Sequence, residues 1–170
     1  FNSLESLPRN PKERYKIMTN EMPKEGKLSL EMMYRTCGIQ INFDYTSETN
    51  FEKIFRLANY LVPLTIAVYA NSPFSNGKPS GYYSYRNKVW QKTSRGGIMP
   101  IAFEKLTFEK YFDHIINYPI LFAMKDKEYI KPNGQIFKDF ILGKFSNIKG
   151  EASLKDFETH LATIFTEVRL

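Results

Sequence analysis

The sequence has a single cysteine, Cys37, among its 170 residues. One thiol cannot form an internal disulfide, which favours a reducing compartment, and we predict a cytoplasmic location. The sequence also lacks an apolar run of about 18 residues, the length that a membrane-spanning helix needs. The most apolar stretch, residues 57–70, is shorter and contains Asn59 and Pro63. We therefore predict no membrane segment and no membrane partner.

Several compact enzyme motifs are also missing. No glycine-rich run is followed by Lys and Ser or Thr, so the sequence contains no P-loop. His114 and His160 are far apart on predicted helices, where surface or core histidines are commoner than zinc ligands. Cys37 has no base at a recognisable spacing and is more simply a packed thiol than a nucleophile. These observations disfavour a protease or an esterase.

The charge of the chain is modest and dispersed. Lys and Arg number 24 against 18 Asp and Glu, which gives a net charge of +6. This excess favours anionic partners, such as nucleic acid, anionic lipid, or a nucleotide with a carboxylate substrate. The basic residues form no block of five or six, so we predict no nucleic-acid partner.

Residues 36–45 carry the clearest local pattern. From Gly38 onward apolar and polar residues alternate strictly, which predicts a half-buried β-strand. One face holds Cys37, Ile39, Ile41, Phe43 and Tyr45, and the other holds Thr36, Gly38, Gln40, Asn42 and Asp44. The polar face could simply meet solvent, but amides and glycine are poor strand formers. A sheet face that binds a polar ligand is the alternative explanation.

The remaining patterns predict an aromatic-rich α+β domain with no internal boundary. The first half is predicted to contain an extended lead-in over residues 1–25, a helix that begins at a capping box of Thr49 and Glu52 and that Pro63 kinks or splits, and a short helix over residues 82–91. A short strand over residues 98–103 and a helix capped by Thr107 are predicted next, followed by a hairpin of residues 121–124 and 128–130 around a turn at residues 125–127. The last two predicted helices are one over residues 135–142 that ends at Gly143 and one that begins at Ser153 and Asp156.

Arg86 is the most informative cation. It follows a glycine-rich loop and lies four residues before Trp90, so both side chains share one face of the predicted helix. A guanidinium shielded by an indole can bind a carboxylate with two parallel hydrogen bonds. The alternative is a solvated surface arginine.

A series of motifs resembles the consecutive signatures of the plant and bacterial glutamate–cysteine ligases. They are residues 14–18, 22–24, 32–37, 40–44, 70–74, 77–79, 81–82, Ser84 with Arg86 and Trp90, and residues 163–170. The similarity covers nearly the whole chain in the family's order. Phe1 is not an initiating methionine, and we expect residues 1–170 to be the central part of a single catalytic domain, truncated at both ends.

The resemblance implies a fold similar to that of glutamine synthetase, an antiparallel sheet with helices packed on its outer face. It implies an enzyme that uses ATP and Mg²⁺ to join the γ-carboxyl of L-glutamate to the amine of L-cysteine through a γ-glutamyl phosphate. This is the first step of glutathione biosynthesis. The alternatives are a related ligase that couples glutamate to another amine, and a non-enzymatic anion-binding module.

The resemblance also implies roles for individual residues. Arg86 would be the catalytic clamp on the α-carboxylate of glutamate, with Trp90, Thr36 and Asn42 also binding substrate. Asn42 would additionally contact the nucleotide, and Gln40 would approach the metal. The segment after Trp90 departs from the family's pattern, because it is shorter and lacks the family's acidic residues. Most metal-binding carboxylates would lie before Phe1, so we expect this piece alone to be inactive.

Overall fold

Helices dominate the computed structural model, which describes residues 3–93, 95–125, 128–130, 134–145 and 150–170. In chain order the helices are α1 (Glu13–Glu25), α2 (Ser29–Arg35), α3 (Glu48–Val68), α4 (Tyr85–Gln91), a 3₁₀-helix (Pro100–Phe103), α5 (Phe108–Ile116), α6 (Phe137–Ile141) and α7 (Leu154–Leu161). The strands are β1 (Phe74–Ser75), β2 (Lys78–Pro79), β3 (Gly96–Gly97), β4 (Ala123–Lys125), β5 (Glu128–Ile130) and β6 (Phe165–Thr166).

The strands form only two-stranded sheets within the described ranges. Strands β1 and β2 pair antiparallel, as do β4 and β5, whereas β3 and β6 pair parallel. The mixture of helices and small sheets confirms the α+β class. The β4–β5 pair confirms the predicted hairpin, although Lys125 lies in β4 and residues 126–127 of the predicted turn are outside the described residues.

Three buried clusters hold the helices together. The first joins α3 to α5 and the 3₁₀-helix through Phe51, Phe55, Tyr111 and other buried residues. The second joins α1, α2 and α4 and includes three methionines, and the third joins α5 to α6 around three phenylalanines. The aromatic-rich core predicted from composition is therefore confirmed.

The extended lead-in predicted over residues 1–25 is wrong, because Glu13–Glu25 forms α1. Ile17, Met18 and Met22 are buried on one side of this helix. Pro23 lies in its last turn, where it removes one hydrogen bond from the helix, and the helix ends at Glu25. Burial of three apolar side chains outweighs the prolines that suggested an extended segment.

The N-cap of helix α3 lies two residues before the predicted one. Ser47, not Thr49, accepts the capping hydrogen bond from the Asn50 N–H, and the Asn50 side chain accepts in return from the Thr46 N–H. Glu52 instead pairs with Arg56 one turn later. Pro63 does not split the helix, which continues to Val68.

The other predicted helix ends agree more closely with the structure. Thr107 caps α5, and Ser153 and Asp156 form a capping box at α7. Gly143 follows α6 with the positive φ expected of a glycine that ends a helix. The strand predicted over residues 98–103 is wrong, because Pro100 opens the 3₁₀-helix there.

Residues 36–45 do not form the predicted strand. They follow α2 without regular secondary structure, and they pair with no strand in the described part of the protein. Ile39 is 80% exposed and Ile41 is 68% exposed, so most of the apolar face is uncovered. Tyr45, the last residue of that face, packs against the rings of Phe51 and Phe108. An alternating segment becomes a half-buried strand only when neighbouring strands and a packing layer surround it.

Helix α3 exposes a second apolar surface. Leu57, Tyr60, Leu61, Leu64 and Val68 lie at three- and four-residue spacing and are all exposed. Among the described helices, none is both long and apolar enough to cross a bilayer. The apolar face of α3 is therefore a packing surface without a cover in this structure.

His160 on α7 is a buried core histidine. It is 1% exposed, its Nε2 lies 2.9 Å from the Ile115 carbonyl, and its ring stacks on Phe137 with centroids 4.7 Å apart. Burial lowers its pKa to about 4. The folded protein therefore holds this imidazole neutral under conditions in which an unfolded chain would protonate it.

We expect the stability of a His160→Gln variant to depend less on pH than the stability of the wild type. Between the unfolded pKa of about 6.5 and the folded value, the unfolded chain binds the extra proton, so falling pH destabilises the wild type. The decrease in the free energy of unfolding between pH 7 and pH 5 should be about 2 kcal/mol smaller in the variant than in the wild type. Denaturant titrations at both pH values measure this, and equal pH dependence in the two proteins would contradict it.

Candidate functional site

Helix α4 carries both Arg86 and Trp90, and its first residues are hydrogen-bonded to Ser72. The Ser84 hydroxyl caps the helix by accepting from the Asn87 N–H. The Arg86 N–H donates to the Ser72 hydroxyl over 3.0 Å, and the Tyr85 N–H donates to the Ser72 carbonyl over 2.9 Å. The predicted i, i+4 relation of Arg86 and Trp90 is confirmed, because both lie on this helix.

The guanidinium of Arg86 is held on two sides. Its central carbon lies 4.7 Å from the centre of the Trp90 ring, and its Nε donates to the Cys37 carbonyl over 2.6 Å. A Cβ atom at position 38 would lie 3.1 Å from the Arg86 Nη2. Glycine at that position therefore leaves room for the guanidinium beside the backbone.

Thr36 completes this cluster. The Trp90 indole N–H donates to the Thr36 hydroxyl over 3.4 Å, and that hydroxyl donates to the Met32 carbonyl over 2.7 Å. The structure thus brings together Thr36, Arg86 and Trp90, three of the five residues predicted for the site. Their contacts link α4 to the end of α2 and to the segment that follows it.

Gln40 and Asn42 do not join the cluster. Both are exposed, and the Gln40 amide donates to the Asn42 side-chain oxygen over 3.1 Å. In the described part of the chain, no three His, Cys, Asp or Glu side chains are grouped closely enough to hold a metal ion. The amide oxygens are hard ligands that suit Mg²⁺, but no cluster of carboxylates accompanies them in the described residues, so the residues present do not fit a complete magnesium site.

Cys37 has a different environment from the predicted one. The structure places it in the exposed class, whereas the alternation predicted a packed thiol. The reason is the same as for Ile39, Ile41 and Phe43 of this segment, which have no covering layer in the described residues. The backbone carbonyl of Cys37, not its thiol, makes the contact with Arg86.

Glu167 also belongs to the candidate site, although the sequence patterns did not predict it as a site residue. It follows β6, and its N–H donates to the Gly97 carbonyl over 2.9 Å. Burial raises the pKa of its carboxyl group, and the positive charge of Arg86 opposes that rise. The only sequence signal was its position within the motif of residues 163–170.

A cleft of about 640 Å³ opens beside Trp90 and Thr36. Four of the six methionines line it, together with aromatic side chains and a few charged and hydroxyl groups. The lining residues are Arg14, Tyr15, Met18, Met32, Met33, Thr36, Trp90, Phe122, Met124, Tyr129, Lys155, Glu158, Thr159, Ala162, Thr163 and Phe165. Trp90 contacts Arg86 and also lines the cleft, so the cation and the cleft are neighbours.

Comparison with known proteins decides the family. The family described as Glutamate-cysteine ligase family 2 (GCS2) matches residues 3–170. The chain belongs to this family. It is 45% identical over 172 residues to the chloroplastic glutamate–cysteine ligase A of Oryza sativa subsp. japonica, covering 99% of the chain and 35% of that protein.

Two further relatives of the ligase family give the same result. The chain is 46% identical to the chloroplastic glutamate–cysteine ligase of Nicotiana tabacum and 44% identical to that of Arabidopsis thaliana, in each case over 98% of the chain and 33% of the relative. The chain therefore spans about a third of the length of these ligases. Their chloroplastic names contradict the predicted cytoplasmic location, because a single cysteine does not distinguish one reducing compartment from another.

We expect an Arg86→Gln variant to raise the pKa of Glu167 further. The neutral amide removes the positive charge that favours the ionised carboxylate, while burial of Glu167 persists. NMR titration of side-chain carboxyl carbons in the intact protein measures this pKa. Lys88→Gln, a change on the same helix, is the matched control, and an unchanged or lowered pKa of Glu167 in the Arg86 variant would contradict the expectation.

Proposed function

We propose that this chain provides the amino-acid-binding part of a glutamate–cysteine ligase, an ATP-dependent enzyme that catalyses the first step of glutathione biosynthesis. The observation that supports this proposal is the cluster of Arg86, Trp90 and Thr36, which lies beside a cleft in a chain that belongs to the ligase family. By likeness to the relatives named chloroplastic, we also propose a plastid location.

Arg86 is suited to bind the α-carboxylate of glutamate. The Cys37 carbonyl engages its Nε, and the Trp90 ring covers one face of the guanidinium plane. These contacts orient the terminal NH₂ groups, and a planar, pre-oriented guanidinium matches the two oxygens of a carboxylate. Holding the α-carboxylate positions the γ-carboxylate of glutamate for reaction.

The adjoining cleft is suited to the acceptor amino acid. Its methionine and aromatic walls offer polarizable partners to a small sulfur-containing side chain, and such walls do not match a strongly polar one. Arg14, Lys155 and Glu158 add charges of both signs that can face the carboxylate and the amine of an amino acid. This lining favours cysteine over other amines as the acceptor. Another amine remains the second candidate.

The proposed reaction has two steps. An oxygen of the glutamate γ-carboxylate attacks the terminal phosphorus of ATP, ADP leaves, and a γ-glutamyl phosphate forms. The cysteine amine then attacks the γ-carbonyl carbon, phosphate leaves, and the nitrogen loses a proton to give the amide. The residues of this chain contribute binding and orientation, with Arg86 holding glutamate and the cleft holding the acceptor.

Gln40 and Asn42 are proposed to face the ATP and Mg²⁺ region. Asn42 would contact nucleotide and substrate, and Gln40 would approach the metal, but both need carboxylates that the described residues do not place beside them. Because the chain spans about a third of its relatives, we propose that other parts of the same catalytic domain supply them.

For the fold, we propose a glutamine synthetase-like sheet that includes residues 36–45. Residues 36–45 alternate like a strand but lack strand neighbours in the described ranges, and Ile39, Ile41 and Phe43 are exposed. Helix α3 carries an exposed apolar face of its own. A sheet that included residues 36–45 and packed against helices would cover apolar surface on both.

The test uses the intact protein with ATP and Mg²⁺ and measures ADP release with glutamate plus cysteine. Turnover with this pair, and much less with other amines, is expected. An Arg86→Lys variant should lower kcat/KM by about 10- to 100-fold, since a hydrogen bond to a charged group contributes about 1.5–3 kcal/mol. Lys88→Gln on the same helix should retain activity.

Two outcomes would point elsewhere. Equal turnover with a different amine would favour the sister ligase. Salt-dependent affinity for nucleic acid without any nucleotide-dependent chemistry would favour an anion-binding module.

A further inference from the structure

Arg95 is the most deeply buried cation in the described part of the chain. Its side chain is 1% exposed, and its charge is countered by Glu25 over 3.1 Å from Nε to Oε2. The guanidinium also donates to the Pro119 carbonyl over 2.6 Å and to the Thr163 hydroxyl over 3.3 Å. One side chain therefore joins three segments that are distant in sequence.

Each of these partners belongs to a segment that forms a wall of the cleft. Glu25 ends α1, whose Arg14, Tyr15 and Met18 line the cleft. Pro119 stands three residues before Phe122, and Thr163 is itself a lining residue just after α7. Arg95 does not line the cleft, so any effect it has on a bound ligand acts through these walls.

The backbone around Arg95 reinforces this arrangement. The Arg95 carbonyl accepts from the N–H of Phe165, which also lines the cleft, over 2.7 Å. Gly96 and Gly97 then pair with β6, and the Gly97 carbonyl accepts from the Glu167 N–H. The residues around Arg95 thus connect the cleft wall to Glu167, whose pKa is raised by burial against the opposing effect of the Arg86 charge.

We infer that Arg95 is a positioning residue, whose guanidinium sets the shape of the amino-acid cleft by holding α1, the segment from Pro119 to Phe122, and the segment after α7 at one point. This inference rests on the proposed function of the cleft. A lysine at position 95 keeps the charge, but its single ammonium cannot reproduce the planar set of donors that meets three partners.

The first measurement compares the steady-state kinetics of the intact wild-type protein with those of two variants. The first variant is Arg95→Lys, and the second is Glu25→Gln, which leaves Arg95 in place. We expect KM for the amino-acid substrates to rise about tenfold in Arg95→Lys while KM for ATP stays unchanged. Loss of folded protein alone lowers the apparent kcat and leaves KM unaltered. Arg56→Lys, at a partly exposed arginine paired with Glu52, is the matched control.

The second measurement is hydrogen exchange without ligands, which does not depend on the proposed function. Faster exchange in Arg95→Lys at the cleft walls, around Met18, Phe122 and Thr163, with unchanged exchange at Phe55 in α3, is expected. Uniformly faster exchange, or wild-type exchange together with wild-type KM, would overturn the inference. If the wild-type protein shows no turnover, the proposed function fails, and the exchange pattern still decides whether Arg95 positions these walls.

Discussion

The buried guanidinium of Arg95 is the constraint on which the cleft depends. A charge removed from water must keep its counter-ion and its hydrogen-bond acceptors, and removing one partner of a buried pair costs about 3–5 kcal/mol. Arg95 meets this requirement with Glu25, the Pro119 carbonyl and Thr163. Because these partners come from three separate segments, satisfying one charge also fixes how those segments meet.

The proposed site divides into a packed part and an open part. Arg86, Trp90 and Thr36 contact one another because α4 and the end of α2 pack together within the second buried cluster. Gln40 and Asn42 lie on a segment with no strand neighbour in the described ranges, so their side chains bond each other in solvent. The proposed amino-acid site can thus be assembled locally, whereas the proposed nucleotide and metal site needs further carboxylates.

Local chemistry accounts for what could be predicted about the elements. The caps at Thr107 and Ser153, the hairpin and the Arg86–Trp90 pair all depend on residues within a few positions of one another. Two of the errors occurred where distant packing decides. Helix α1 forms despite its proline because Ile17, Met18 and Met22 are buried, and residues 36–45 form no strand because they have no strand neighbour in the described ranges. The error at the α3 cap was local, since Ser47 replaces Thr49 and Asn50 bonds back to Thr46.

The sequence by itself determined the family, the α+β class and the residues at the centre of the proposed site, because motif order and short-range spacing are properties of the chain alone. Tertiary structure alone decided that Arg95, Glu25 and Thr163 meet, that the charge of Arg86 opposes the rise that burial causes in the pKa of Glu167, and that four methionines share one cleft. The physical reason is that buried charges and cavities arise from contacts between segments up to 70 residues apart, which no local pattern encodes.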